Sequence, residues 1–314
     1  MIRFGLCCIF HEQPIRFRRT TAASLGRSSR REQLDRLSSL CLENGQALLA
    51  ALRYCRDHGI GDFRINSQIL PLATHPELGY RIGDLPAHRD IEDAFRRCGR
   101  LAAEHGLRTT LHPDQFVLLS SPFEQVTRHS LEELRYQTEV AELVGSDVIN
   151  LHGGGAYGDK AAALGRLRRR IEALPEEIRS RLSLENDDRV YTPSELLAVC
   201  SDTGVPLVYD VHHHRCLPDE LSVEEATARA LGTWEREPLF HLSSPRGGWK
   251  AAAPRVHDDY IDPADLPELW LSLGRERTFT IEIEAKAKEA AILRLTAALE
   301  SSGAVQKAAR GAAG

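Results

Sequence analysis

Eight side chains of the kinds that hold divalent metal ions lie between residues 112 and 284: His112, His152, Glu185, Asp210, His213, His241, His257 and Glu284. Imidazole nitrogens and carboxylate oxygens suit borderline-to-hard ions such as Zn or Mn. The three carboxylates bring three negative charges, which are costly to desolvate together unless cations offset them. Taken singly, each residue is weak evidence. A lone His after a strand is more often a hydrogen-bonded core or surface residue, and a lone Glu a salt-bridge partner. The joint pattern is what argues for metal.

That pattern depends on the elements that must carry it. Short β-type runs alternate with longer helical ones. Strands are expected over 2–9, 62–66, 108–112, 147–152, 182–185, 206–210, 238–242 and 278–284. Helices are expected between them, the last over 286–300. Two begin with a capping box, at Thr192-Pro193-Ser194-Glu195 and Ser222-Val223-Glu224-Glu225, and another is expected to open at Asp262-Pro263. Eight such units predict an α/β chain folded as a single (β/α)8 TIM barrel over 1–300, with a flexible tail over 301–314. The run Val205 to Tyr209 reads as a strand buried on both faces. A doubly wound sheet wants a glycine-rich turn after its first strand, and this chain has Phe10-His11-Glu12-Gln13-Pro14 there.

In such a barrel the C-terminal strand ends meet at one mouth. His112, His152, Glu185, Asp210 and Glu284 end their strands, His241 lies on the seventh, and His213 and His257 follow the sixth and seventh. Six successive strands therefore deliver a metal cluster to the mouth. Glu185, central in this order, is the expected bridging ligand and the catalytic one. Within His212-His213-His214, the middle residue is favoured because three positions past Asp210 the chain can swing back over the mouth. Gly153-Gly154-Gly155 either cradles a phosphate or lets the backbone pass close to the metals. Gln115-Phe116 is either loop packing or an aromatic wedge against a base. Ser243 to Lys250, with Arg246 and Lys250 beside Trp249, is either a flexible loop or a DNA contact.

Composition sets the boundaries. The 314 residues are 42% hydrophobic, which excludes a wholly disordered chain. No apolar run approaches the roughly 18 residues of a membrane span, and the N-terminal stretch lacks the marks of a signal peptide, so a cytoplasmic protein is expected. The seven cysteines are scattered without a C-x-x-C, as for reduced thiols. A net charge of −5 does not favour nucleic acid. Between Arg16 and Arg36, however, seven arginines face only Glu32 and Asp35. On charge alone this is a solvated loop; the sharper reading is a phosphate-facing one.

His112-Pro113-Asp114-Gln115-Phe116, His152 with Gly154-Gly155-Ala156-Tyr157-Gly158, Leu184-Glu185-Asn186-Asp187-Asp188, Asp210 with His213-His214, His241-Leu242-Ser243-Ser244, Ile283-Glu284-Ala285-Lys286 and Pro71-Leu72-Ala73-Thr74-His75-Pro76 resemble the UV damage endonuclease family. The resemblance runs in order and spacing from about residue 1 to 300. It implies a barrel related to endonuclease IV, holding two or three divalent ions, Mn or Zn, on the eight residues above. It implies cleavage of the phosphodiester bond immediately 5′ to a damaged base in double-stranded DNA, leaving a 3′-hydroxyl and a 5′-phosphate. Gln115 and Phe116 fall where the family probes the lesion. Tyr157, Arg246, Lys250, Arg16, Arg18 and Arg19 are the further expected DNA contacts. No nucleotide cofactor or membrane is expected, and a monomer is.

Three positions depart from the family. Leu6 and Phe10 stand where an aromatic and a polar residue help read damage. Leu239, two residues before His241, stands where the family usually has a Lys, reported as carboxylated near the metals. Other readings are a metal-dependent sugar isomerase or epimerase on a similar barrel, and a damage-binding or metal-storage homologue that lost catalysis through Leu239.

Overall fold

The computed structural model describes residues 1–304; the expected tail lies outside the described residues from 305 onward. Eight parallel strands close in chain order: β1 (Ile2–Cys7), β2 (Asp62–Ile65), β3 (Arg108–Leu111), β4 (Val148–His152), β5 (Leu182–Glu185), β6 (Leu207–Asp210), β7 (Leu239–Leu242) and β8 (Phe279–Ile283). Closure is between β8 and β1, with Ile2 opposite Phe279 and Leu6 opposite Ile283. The TIM barrel is therefore present as expected.

The helices are α1 (Ala22–Leu25), α2 (Arg30–Asp57), α3 (His88–Glu104), α4 (Glu124–Val144), α5 (Lys160–Glu172), α6 (Glu176–Arg179), α7 (Pro193–Thr203), α8 (Val211–Cys216), α9 (Val223–Leu231), α10 (Glu268–Glu276) and α11 (Glu289–Ser301). Both anticipated capping boxes form, Thr192 with Glu195 and Ser222 with Glu225. A third, Ser29 with Glu32, starts the 28-residue α2. Asp262-Pro263 opens only a single 3₁₀ turn, Pro263–Asp265, and the helix proper starts at Glu268 after Pro267. The last helix starts at Glu289, later than expected, because Lys288 has a φ of 51°. Its Glu289 carboxylate accepts the backbone N–H groups of His11, Glu12 and Gln13, which pins the loop leaving β1.

Side chains alternate along each strand. Outward-facing Phe4, Leu6, Phe63, Ile65, Leu111, Ile149, Leu151, Leu182, Leu184, Tyr209, Phe240, Phe279 and Ile281 join one hydrophobic cluster with the helices. The inward positions are mostly polar: Asp62, Arg64, Arg108, Thr110, Asn150, Ser183, Thr280 and Glu282 are all buried. Continuous apolar runs thus describe β6 but not most strands. Gly5 shows how full the interior is, since a Cβ there would overlap the Asp62 carboxylate. At the floor, Arg108 Nη2 donates to Asp147 (2.8 Å) and to the Glu237 carbonyl (2.7 Å), and Arg3 Nε donates to the Glu237 carboxylate (2.9 Å).

Leu6 is fully buried in the outer core, and Phe10 stacks on Phe63 with ring centroids 6.0 Å apart. Neither faces the mouth. Alternation turns Leu6 away from the interior, and Phe10 follows it into the helix layer, so neither residue takes up the family's role at these two places by facing the mouth.

Candidate metal centre

The strand ends bring the eight residues together around Glu185. Its carboxylate is fully buried at the end of β5, and its two oxygens face different neighbours. Oε2 lies 2.9 Å from His112 Nε2 and 4.0 Å from His152 Nε2. Oε1 lies 3.1 Å from His241 Nδ1 and 3.4 Å from His213 Nδ1. Two donor groups with ligand atoms within 4.8 Å of one another result: His112, His152 and Glu185, and Glu185, Asp210 and His241. Glu284 stands beside the second, 3.6 Å from His241 Nδ1, and its other oxygen is 3.8 Å from His257 Nδ1.

The short helix α8 explains which histidine of the run turns inward. Asp210 caps it by accepting the His213 N–H at 2.7 Å. One turn on, His213 faces the cluster and donates through Nδ1 to the Asn186 carbonyl at 3.0 Å. His214 points into the protein, between the Tyr209 hydroxyl (2.7 Å) and Asp219 (3.0 Å). His212 is buried against His257 and Trp249. His257 is carried by a long loop that returns to β7 through a bridge between Pro245 and His257.

The donor set fits divalent metal ions. His112 engages the Pro113 carbonyl through Nδ1, which leaves Nε2 as the ligand atom. Asp210 Oδ2 is buried without a hydrogen-bond donor. His241 presents Nδ1 to Glu185, while its Nε2 is 3.0 Å from Glu282, the carboxylate-behind-imidazole arrangement common at metal sites, though the approach is poorly aligned for a hydrogen bond.

Electrostatics agree with a site built for cations. Burial would raise the Glu185 carboxyl, but the charges of His241 and His152 and the bonds from His112 and His213 hold it well below the carboxylate range. Burial likewise opposes the charged form of His241, yet Glu185 and Glu282 pull it up to about 10. His213 is raised against its burial by Asp210 and Glu185, whereas burial dominates at His152 and lowers it. Without metal, protons on imidazoles offset the carboxylates.

Several residues of the site carry no motif. Arg64 on β2 donates to Glu282 (2.5 Å) and to Glu284 (2.6 Å). Thr110 also donates to Glu282, and Asn150 donates to Glu185 at 2.6 Å while Ser183 steadies Asn150. Their signal was positional. Glu282, Asn150, Thr110 and Ser183 each stand two residues before Glu284, His152, His112 and Glu185, hence on the same inward face. Leu239 obeys the same rule two residues before His241. It is fully buried against Val148, Val208 and Trp234, an apolar plug below the cluster, and it offers no ligand atom.

The expected DNA contacts ring the mouth without forming one patch. Gln115 and Phe116 are exposed, Phe116 at 76%, beside a cleft of 370 Å³ that Arg19 also lines. Tyr157, Arg246 and Lys250 are exposed on the loops after β4 and β7. Arg16 turns back to the carbonyl of Ile15 at 3.0 Å, and Arg18 pairs with Glu43 at 3.0 Å, so Arg19 is the one of the three without a hydrogen bond or ion pair among the described residues.

The family model described as UV-endonuclease UvdE matches residues 2–313. The UV DNA damage endonuclease of Bacillus velezensis is 36% identical over 323 residues, covering 99% of this chain and 98% of that protein. Among solved structures, SacUVDE superposes with a TM-score of 0.83 at 27% identity, covering 97% of this chain and 100% of that one. Endonuclease IV from Thermus thermophilus shares the fold, with a TM-score of 0.57 at 20% identity over 95% of this chain and 99% of that one. Matched from one end to the other in sequence, and with a barrel that superposes on SacUVDE, the chain belongs to the UV-endonuclease UvdE family.

Proposed function

We propose that this chain is a metal-dependent endonuclease that cuts double-stranded DNA immediately 5′ to a UV-damaged base, with residues 1–300 as its nuclease unit. The observation that carries this reading is Glu185, whose two carboxylate oxygens divide the surrounding imidazoles into two sets. His112, His152 and Glu185 would hold one ion, Glu185, Asp210, His213 and His241 another, and His257 and Glu284 would serve a third. Two or three ions, Mn or Zn, would complete the set. When bound, such ions acidify water and offset charge on the phosphoryl oxygens.

The residues of this chain supply the rest. Arg64 fixes the direction of Glu284, and Asn150 fixes Glu185, so these donors are set before substrate arrives. Water adds to phosphorus, the bond to the 3′ oxygen breaks and that oxygen takes a proton, which leaves a 3′-hydroxyl and a 5′-phosphate. Phe116 and Gln115, at the end of an exposed loop directly after His112, enter the duplex where damage has weakened stacking. Arg19 and Lys250 receive phosphates, and Arg16, Arg18 and Arg246 do so where they exchange their present partners for DNA. No helix among the described residues is long and apolar enough to cross a membrane. The reading takes the chain as a monomer that works on DNA in the cytoplasm.

The test is an end-labelled duplex carrying one cyclobutane thymine dimer. Protein purified without chelator is expected to hold at least two divalent ions by elemental analysis and to nick the strand 5′ to the dimer. Chelation should abolish nicking and added Mn or Zn restore it. Full activity in metal-free protein would overturn the reading.

A further inference from the structure

Phe123 and Tyr157 are large aromatic side chains left open to solvent, at 63% and 39% exposure, yet they touch. Their ring centroids are 6.3 Å apart with planes at 81°. They come from different loops, Phe123 from the one that leaves β3 behind His112 and Tyr157 from the one that leaves β4 behind His152. Two such rings meeting in water need something to hold them there.

The two loops are locked together from below. Arg166 of α5 donates through Nε to the Ser120 carbonyl at 2.8 Å, and Arg170 donates to the carbonyls of Leu119 (2.6 Å) and Ser121 (2.5 Å). A Cβ on Gly154 would overlap the Ser120 hydroxyl, so the loops interlock there. The Tyr191 hydroxyl donates to the Gly155 carbonyl at 3.2 Å. Tyr157 itself has a φ of 54°, a conformation that side-chain-bearing residues rarely adopt. The Arg166 guanidinium lies 6.0 Å from the centre of the Tyr157 ring. A strained, braced pair of exposed rings with a cation beside it is a rigid platform for a flat aromatic ligand near an anion.

We propose that Phe123 and Tyr157, backed by Arg166, form a second stacking platform, separate from Phe116, that receives an unstacked nucleobase of bound DNA. The proposal rests on the reading of the chain as a DNA endonuclease. The occupant follows from position: both loops leave the mouth at candidate ligands, so a strand whose phosphate lies at Glu185 brings its neighbouring bases over these rings. Every base has a face that stacks on an aromatic, and the nearby guanidinium suits the adjoining phosphate.

The experiment compares Phe123→Leu, Tyr157→Gly and Tyr157→Phe by fluorescence anisotropy on a thymine-dimer duplex and on the same duplex undamaged. Tyr157→Gly is chosen because glycine adopts this backbone freely, so the fold is kept and Tm should stay or rise. Phe123→Leu and Tyr157→Gly should each weaken dimer-duplex binding about tenfold, equivalent to about 1.4 kcal/mol. Together they should lose less than the product, since one base serves both rings. Tyr157→Phe, which keeps the ring, should stay within about twofold of wild type. Undamaged-duplex binding and its salt dependence should hardly move, and in nicking assays the loss should fall on KM more than on kcat. Unchanged dimer binding in Phe123→Leu and Tyr157→Gly would overturn the platform, as would equal losses on both duplexes. A wild-type protein that does not nick the dimer duplex would instead overturn the functional reading itself.

Discussion

The outward and inward faces of the same eight strands are built from different chemistry. Outside, Phe63, Tyr209, Phe240, Phe279 and their neighbours form one apolar layer with the helices, and Phe240 stacks on Trp270 at 4.9 Å. Inside, Val148, Val208 and Leu239 make only a small plug with Trp234, and most of the rest is acids, bases, amides and hydroxyls. TIM-barrel interiors are usually filled with branched apolar side chains. Here the helix-facing layer carries the stability, at about 1.5–3 kcal/mol for each large side chain buried. The interior spends its volume on orienting donors at the mouth. Buried ion pairs such as Arg64 with Glu282 and Glu284 add little net stability, but they fix geometry.

A crossed pair of substitutions should separate the two faces most strongly. Glu185→Gln is expected to lower nicking by at least about a thousandfold, about 4 kcal/mol in activation free energy, while the protein stays folded by circular dichroism. Phe279→Ala is expected to cost about 3–5 kcal/mol of unfolding free energy in a denaturant titration, with metal content per folded chain unchanged. A Phe279→Ala protein of full stability but low metal content would break the division.

A smaller effect probes the interior alone. Burial, reinforced by the charge of Glu282, raises the Asp62 carboxyl well above its ordinary value, and both its oxygens lack hydrogen-bond partners. The folded state therefore holds a proton that the unfolded chain releases above about pH 3.9. This proton linkage lowers stability as pH rises from there toward the folded value. Asp62→Asn carries no such proton. Its Tm should exceed wild type by about 2–4 °C at pH 8, and the gap should close toward pH 4. A gap that widens on acidification would reverse the sign and place a charged Asp62 in the fold.

At the rim, Phe116→Ala should weaken dimer-duplex binding about tenfold, about 1.4 kcal/mol, with metal content unchanged because the ring offers no ligand atom. Wild-type affinity would mean that this exposed ring is bystander packing. The smallest expected effect is none. Leu239 cannot be carboxylated, so added bicarbonate should leave nicking unaltered and the intact mass should lack that adduct. A bicarbonate-dependent rate would show a modified lysine elsewhere at the mouth.

The alternation of eight strand and helix patterns, and the placing of acids and imidazoles at strand ends, are local properties. The 2-residue and 3.6-residue periods and the capping boxes record them along the chain, so the barrel and the gathering of these eight side chains at its mouth were legible in the sequence. Tertiary structure decided what local patterns cannot encode. Arg64 meets Glu282 across 218 residues of chain, and only barrel closure makes them neighbours. Closure also turned Leu6 and Phe10 into outer core and left Leu239 within an apolar plug. It joined Phe123 to Tyr157 through two arginines of a third element. Each depends on which side chain faces which across a closed sheet, and that is fixed by register and packing rather than by the residues adjacent in sequence.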